Sequence, residues 1–241
     1  SATPTWCCGT RRVRQSRPVT PPREHGAATA HVADRVREAI IRGAYPPGTR
    51  IRQEELAEET GASRVPVREA LRVLEAEGLV TLVANTGAWV SSLSLGECQE
   101  IYRVRERVEP LLLRMSGPGL SGPVLDELEA LAERMSASDD PEAFLELDRA
   151  FHLLTYTGTT TVVLTDLVHR LWNRTQAYRR VYTRLMDDRA RRTVHDEHRL
   201  IVGALRDHDI DAAESLLAGH IRRTRRQLAS HPEVFAAPEE G

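Results

Sequence analysis

Residues 61–78, with the sequence G-A-S-R-V-P-V-R-E-A-L-R-V-L-E-A-E-G, constrain the fold more than any other stretch of the chain. They predict a helix: Ser63 is placed to cap the first turn, Pro66 falls within that turn, and Gly78 ends the helix. Apolar residues recur at helical spacing and form a stripe that faces a core: Val67, Ala70, Leu71 and Leu74. The helix therefore packs by one side and leaves the rest of its surface free.

Three arginines, Arg64, Arg68 and Arg72, follow a neighbouring side of this helix at four-residue intervals. Guanidinium groups that rise from the leading end of a helix suit the major groove of DNA, where they bind guanine edges or phosphates. An ordinary amphipathic helix with solvated arginines gives the same pattern. The flanking sequence must decide between the two interpretations.

The flanking sequence favours DNA binding. Residues 53–59 read as a short helix, and residues 60–62 form a tight turn with the glycine that a helix-turn-helix needs. Residues 79–83 and 88–90 read as two strands joined by a turn, which is a candidate wing. With a first helix over residues 29–42, the pieces predict a winged helix-turn-helix.

Four motifs in this region resemble the N-terminal domain of GntR-type bacterial regulators. In chain order they are G-A-Y-P-P-G-T (43–49), E-E-L-A (54–57), G-A-S-R-V-P-V-R-E-A-L (61–71) and E-A-E-G-L-V (75–80). The resemblance implies that Ser63, Arg64 and Arg68 contact DNA, and that Gly87 lies at the wing tip near the minor groove. One departure is R-I-R at 50–52, where the family has a more apolar stretch.

Composition indicates an intracellular globular chain that is not basic as a whole. Of 241 residues, 41% are hydrophobic and 28% charged, and the formal net charge is −2. Any DNA-binding surface must therefore depend on local placement of arginines. No apolar run is long enough to cross a membrane and no secretory segment is present, so we expect a cytoplasmic protein. The three cysteines, Cys7, Cys8 and Cys98, form no disulfide framework.

We expect three regions along the chain. Residues 1–26 hold five arginines against one glutamate, with little apolar periodicity, and read as a flexible tail. Residues 27–92 form the DNA-binding domain. From residue 93 to 235 the pattern is helical throughout, which predicts an antiparallel all-α bundle of six or seven helices for effector binding and dimerisation. The fold class is thus mainly α.

Polar residues interrupt the apolar stripes of three helices in this bundle. Asp148 and His152 are neighbours at i and i+4, and His198 and His220 each lie inside an apolar stripe. Buried without partners they would be costly, and a divalent transition metal would satisfy all four. Taken singly, each histidine is better explained as a hydrogen-bonded core residue, whereas all four inside separate stripes favour a metal. His195 is an alternative ligand, whereas His169 and His208 show no such placement.

The second half also resembles a known group, the FadR-type GntR regulators with a helical effector domain. The shared motifs are V-R-E-R-V-E (104–109), D-R-A-F-H (148–152), D-E-H (196–198) and G-H-I (219–221). The resemblance implies that Asp148, His152, His198 and His220 bind a metal, commonly zinc, and that Arg105 faces the acid group of a small carboxylate effector. The family usually has Gly-Asn where this chain has Gly158-Thr159.

Three functions follow from these patterns. The first is a homodimeric transcription regulator that binds palindromic operator DNA under control of the effector, and is not an enzyme. The second is a metal-dependent hydrolase-like enzyme with an appended DNA-binding head, against which the chain lacks H-E-x-x-H and offers only Glu197 as a base near the ligands. The third is a purely structural histidine cluster. Zinc, nickel and manganese remain open as the metal.

Overall fold

The computed structural model describes residues 22–84 and 86–235, with side chains from Gly26 onward. The described residues form nine α-helices, three short strands and two 3-10 turns. The N-terminal part is a winged helix-turn-helix made of these elements: α1 (Pro22–Ile41), β1 (Arg50–Ile51), α2 (Gln53–Thr60), α3 (Arg64–Ala76), β2 (Val80–Val83) and β3 (Gly87–Val90). The strands form one antiparallel sheet in the order β1-β3-β2. Below, these elements are called the head.

Local signals explain the helix-turn-helix. Gly61 ends α2 in the left-handed conformation with φ 65°, and Gly78 follows α3 with φ 75°, a region that glycine enters without strain. The predicted stripe of α3 is buried, together with Pro66. The prediction for Ser63 is wrong in one respect: it occupies the N-cap position, but its side chain makes no capping hydrogen bond. Ser63 is exposed, so water can bind the free backbone N–H groups of the first turn of α3 in its place.

Two other features differ from the predictions, namely the start of the first helix and an additional strand. Helix α1 begins at Pro22 rather than at residue 29, so residues 22–26 are helical and do not belong to a tail. Proline is tolerated in a first helical turn, where its missing N–H has no intrahelical partner. Residues 1–21 of the predicted tail lie outside the described residues. Strand β1 was not predicted, and it pairs Arg50 with Trp89 and Ile51 with Ala88.

The rest of the described chain is the helical bundle, with six α-helices: α4 (Leu95–Ser116), α5 (Gly122–Ala137), α6 (Pro141–Leu154), α7 (Val162–Leu185), α8 (Asp188–Arg206) and α9 (Ile210–Ala229). This agrees with the predicted helical second half. Ser94 and Glu97 form a capping box at the start of α4, and Asp209 caps α9 by accepting from Ala212 N–H at 3.0 Å. No helix within the described ranges combines the length and apolar character needed to cross a membrane.

Head and bundle each have their own buried core, and α7 joins them. The head core ends at Val90, and the bundle core begins at Leu93. Asn173 on α7 donates to the carbonyl of Glu77, just after α3, at 3.2 Å. Arg180 on α7 donates to the carbonyl of Ile41 at the end of α1 at 2.5 Å. The backbone ends of two head helices therefore rest on one long helix of the bundle.

Candidate DNA-binding surface and metal centre

The arginines of α3 lie on the solvent side of the head. Arg64, Arg68 and Arg72 are all exposed, as is Ser63, because the opposite stripe of the helix is buried in the head core. Arg72 forms an exposed ion pair with Glu69 at 3.0 Å, and the exposed Arg64 lies 3.8 Å from Glu54. Exposed pairs of this kind contribute little to stability, so both guanidinium groups can exchange partners.

The wing lies beside these arginines. A cleft of about 660 Å³ between α3 and the hairpin is lined by Arg68, Arg72 and Gly87, among others. Gly87 has φ 128°, which favours glycine. Arg50, which sequence reasoning did not select, donates to the carbonyl of Thr86 at 2.9 Å and lies 5.6 Å from the ring centroid of Trp89. The unpredicted strand β1 thus adds a cation to the wing.

The four predicted metal ligands converge in the bundle. Asp148, His152, His198 and His220 each offer one ligand atom, and these atoms lie within 4.8 Å of one another. All four side chains are at most 3% exposed. The Nε2 atoms of His152 and His198 are 3.4 Å apart, and the Nε2 of His198 is 3.5 Å from Oδ1 of Asp148. Two imidazole nitrogens bound tetrahedrally to one zinc are about 3.4 Å apart, so the donor set fits a metal.

Burial keeps two of these imidazoles in the form that binds metals. Desolvation, reinforced by the neighbouring histidines and by Arg179, lowers the pKa of His152 and of His198 well below 6.5. Both rings are therefore neutral at pH 7, as metal ligation requires. Their Nδ1 atoms have no hydrogen-bond partner among the described residues. Metal ligation through Nε2 would fix the proton of each ring on Nδ1.

Glu197 orients the third imidazole. His220 Nδ1 donates to Oε2 of Glu197 at 3.0 Å, which leaves Nε2 of His220 as the metal-binding atom. Arg223 forms an ion pair with the other carboxylate oxygen of Glu197. Burial alone would raise the pKa of Glu197, but the bonds to His220 and Arg223 outweigh it and lower that pKa. The only candidate base named from the sequence is thus a partner of a ligand.

Three guanidinium groups surround Trp172 next to the cluster. Arg105 and Arg179 lie 4.3 and 4.4 Å from the centroid of the Trp172 ring, and Arg149 lies 6.0 Å away. Arg179 donates to Asp148, whereas the fully buried Arg105 donates to Glu109 and to Thr175. Desolvation, with repulsion from Arg179 and Arg105, lowers the pKa of Arg149 to about 10. This part of the bundle interior is rich in positive charge.

The three other histidines considered from the sequence lie outside this group. His195 is half-buried and meets Phe144 edge-on, with ring centroids 5.8 Å apart, and it does not join the ligand atoms. His169 lines a cleft between head and bundle, and His208 is exposed with φ 56°. Arg179 could not be selected from the sequence, because a charged residue on an amphipathic helix normally faces water.

Comparison with known proteins gives matches to both halves of the chain. The family model for the FCD domain matches residues 100–223, and the model described as "Bacterial regulatory proteins, gntR family" matches residues 28–90. The transcriptional regulator McbR of Escherichia coli (strain K12) is 26% identical over 205 residues, which cover 83% of this chain and 92% of McbR. The solved structure of E. coli McbR/YncC gives a TM-score of 0.74 at 25% identity, covering 85% of this chain and 98% of that chain.

Two further relatives have a similar level of sequence identity to this chain. An uncharacterised HTH-type transcriptional regulator in an unstable DNA locus of Streptomyces ambofaciens is 30% identical over 219 residues, covering 84% of this chain and 87% of that protein. The gluconate operon transcriptional repressor of Bacillus licheniformis is 29% identical over 194 residues, covering 75% of this chain and 76% of the repressor. In all three comparisons the alignment covers at least three quarters of this chain.

Proposed function

Because the chain belongs to the gntR family of bacterial regulatory proteins and carries an FCD domain, it is a transcription regulator, and we propose how it is controlled. A homodimer binds palindromic operator DNA in the cytoplasm, and a small carboxylate effector held near a divalent metal in the bundle changes the DNA affinity. Members of this family are not enzymes, so the alternative hydrolase-like function is wrong.

The exposed arginines support the proposed DNA contacts. Arg64, Arg68 and Arg72 are exposed, Arg68 and Arg72 line the cleft beside the wing, and Ser63 stands at the leading end of α3. In this proposal α3 enters the major groove, and Gly87 brings the wing tip close to the minor groove. Two heads related by a two-fold axis would read two half-sites about one helical turn apart, which makes the operator palindromic.

One observation carries the proposed metal site: Asp148, His152, His198 and His220 bring four buried ligand atoms within 4.8 Å of one another. Three imidazoles and a carboxylate suit zinc, with nickel or manganese as alternatives. A bound divalent metal would supply a positive charge that attracts the acid group of an effector. The carboxylate of Glu197 supports the set by fixing the ring of His220.

The charges around the cluster support an acidic effector. Arg105, Arg149 and Arg179 provide three positive charges near Trp172. The carboxylates of Asp148 and Glu109, which pair with Arg179 and Arg105, provide two negative charges. We propose Arg105 and Arg179 as the residues that face the effector's acid group. The name of one relative, the gluconate operon repressor, refers to a sugar acid, and a compound of this chemical class fits a positively charged interior.

Metal analysis of the purified protein tests the site. We expect about one zinc, nickel or manganese ion per chain in the wild type and less than about a tenth of that in His152→Ala and His198→Ala, since each loses a ligand. His31→Ala, which removes an exposed histidine of the head, is the matched control. Wild-type protein that holds no metal after loading and gel filtration would leave the structural histidine cluster as the correct interpretation.

Selection of binding sites from random DNA tests the rest. The wild type should enrich an inverted repeat and sediment as a dimer. Arg64→Ala or Arg68→Ala should lose specific retention of that site, at a cost of about 1–3 kcal/mol for each base contact, with an unchanged circular dichroism spectrum. Unchanged affinity in both variants would reject the assignment of α3 as the reading helix.

A further inference from the structure

A second cleft lies between the head and the bundle, away from the metal cluster. It encloses about 530 Å³ between α1 on one side and α6 and α7 on the other. That volume falls in the range of small-molecule sites, about 300–1,000 Å³. The residues that matter below are Ile41 from α1, Arg149, Ala150 and Leu153 from α6, and Gln176 and Arg180 from α7.

This cleft and the metal cluster use different sides of α6. Asp148 and His152, one turn apart, face the bundle interior and are 1% exposed. Arg149, Ala150 and Leu153 line the cleft, and each lies about 100° or more around the helix from Asp148. A molecule in the cleft would therefore not occupy the effector position beside the metal ligands.

Three residues that line the cleft carry buried polar atoms that lack partners. Oε1 of Gln176, Nη1 of Arg180 and Nη1 of Arg149 are buried and make no hydrogen bond to any described residue. Gln176 is 3% exposed and Arg180 is 8% exposed. An unsatisfied buried polar group costs about 1–3 kcal/mol, so a ligand toward which these side chains turn would gain two guanidinium donors and one amide acceptor. The lining also contains the acidic residues Asp34, Glu38 and Glu146 and the basic residues Arg37 and Arg42.

We propose that this cleft is a second ligand site, which binds a small organic acid that also carries a hydroxyl or amino group. The oxyanion accepts hydrogen bonds from Arg149 and Arg180, and the hydroxyl or amino group donates to Oε1 of Gln176. Ile41 and Leu153 supply apolar contact for the carbon skeleton. A carboxylate and a phosphate group meet these requirements equally, so both belong in the test.

The position of the site predicts what binding does. Arg180 already donates to the carbonyl of Ile41 at the end of α1 and pairs with Glu142 at the start of α6 at 2.8 Å. A ligand beside it would contact α1, α6 and α7 together. Its binding would stabilise the arrangement in which the head rests on the bundle.

Calorimetric titration with L-malate, L-glutamate and glycerol 3-phosphate tests the proposal. We expect the wild type to bind at least one of these probes. Ala150→Trp, which fills the cleft from an exposed position, should abolish that binding. Gln176→Leu, which removes the acceptor, should weaken it about tenfold or more. Ala137→Trp places the same side chain on an exposed alanine of α5, and it should bind like the wild type.

Three results would overturn the proposal. One is the absence of binding by all three probes to the wild type. Another is undiminished binding by Ala150→Trp, which would place the probe elsewhere, for example beside the metal ligands. The last is an equal loss in Ala150→Trp and Ala137→Trp, which would show a general effect of an added indole. Comparison of the malate and phosphate titrations then distinguishes a carboxylate ligand from a phosphorylated one.

Discussion

Glu197 is not a metal ligand in the proposed site, yet it fixes which nitrogen of His220 can be one. We expect Glu197→Gln to weaken zinc binding about 10- to 100-fold, the usual cost of losing a partner behind a ligand. The amide still accepts from Nδ1 but no longer carries the charge that makes the imidazole a better donor to the metal. A competition titration against a chromogenic chelator measures the change.

Glu233→Gln provides the control for this substitution. Glu233 also pairs with a histidine, His231, at 2.8 Å, but on the exposed surface. The zinc affinity of the Glu233→Gln variant should equal that of the wild type. If both variants bind zinc as the wild type does, Glu197 contributes to packing and not to the metal site.

Individual residues of the candidate site differ in whether they could be predicted from the sequence. Histidines inside apolar stripes could be selected because their polarity contrasts with the residues around them, and the four predicted ligands do converge. Arg179 and Arg149 could not be selected in this way. Arginine on a helix normally faces water, and only the packing of α6 against α7 shows that these two enclose Trp172.

At the scale of elements, a matched pair of glycines tests how α1 is held against the bundle. Gly43 and Gly48 both have φ 79°, so alanine at either position pays a similar backbone strain of about 1 kcal/mol. A Cβ at Gly43 would also lie 2.9 Å from Nη1 of Arg180, whereas nothing lies within 4 Å of one at Gly48.

We therefore expect Gly43→Ala to lower the free energy of unfolding by about 1 kcal/mol more than Gly48→Ala does. The buried Arg180 must shift, which weakens its hydrogen bond to Ile41. Urea denaturation of the two variants gives the difference directly. Equal destabilisation would mean that the contact of Arg180 with the end of α1 adds nothing to stability.

The elements differ in how well the sequence predicts them. The long helices of the bundle have many turns of apolar periodicity, and the structure has six helices there, in agreement with the predicted six or seven. Strand β1 has two residues, too few to show any periodicity, and it exists only because β3 offers it a partner. The start of α1 was missed because its first turns contain little apolar sequence.

At the scale of the whole molecule, a short polar bridge joins α6, which carries two of the proposed metal ligands, to the C-terminal end of α3. Arg149, next to the ligand Asp148, donates to Oδ1 of Asn173 at 2.6 Å, and Asn173 donates to the carbonyl of Glu77 at 3.2 Å. Glu77 in turn accepts from Arg37 of α1 at 2.6 and 2.7 Å. The bridge connects α1 and the C-terminal end of α3 to α6.

If this bridge transmits the state of the metal site, Asn173→Ala should reduce the effect of zinc on DNA binding. Coupling between sites is typically 1–3 kcal/mol, or about 5- to 150-fold in affinity. We expect the ratio of the DNA affinities with and without zinc to be at least about threefold smaller in the variant than in the wild type. The dissociation constant for the selected DNA site, measured with and without zinc, gives the ratio.

Arg206→Ala is the control for the bridge. Arg206 joins α8 to α5 through Asp126 and Glu129 at 2.8 and 2.6 Å, entirely within the bundle. It should keep the zinc response of the wild type. A response that is the same in Asn173→Ala as in Arg206→Ala would remove the bridge as the route of communication.

Helix α3 contacts the bundle at its C-terminal end, so a small tilt at that end produces a large movement of its N-terminal end. Its 13 residues span about 20 Å, with the pivot beside Asn173 and the arginine tip at the far end. A tilt of about 5° at the pivot moves the tip by about 1.7 Å, more than the spread of distances that a hydrogen bond tolerates. In the proposed complex with DNA, a very small angular change next to the bundle is therefore enough to take Arg64 out of register with a base pair.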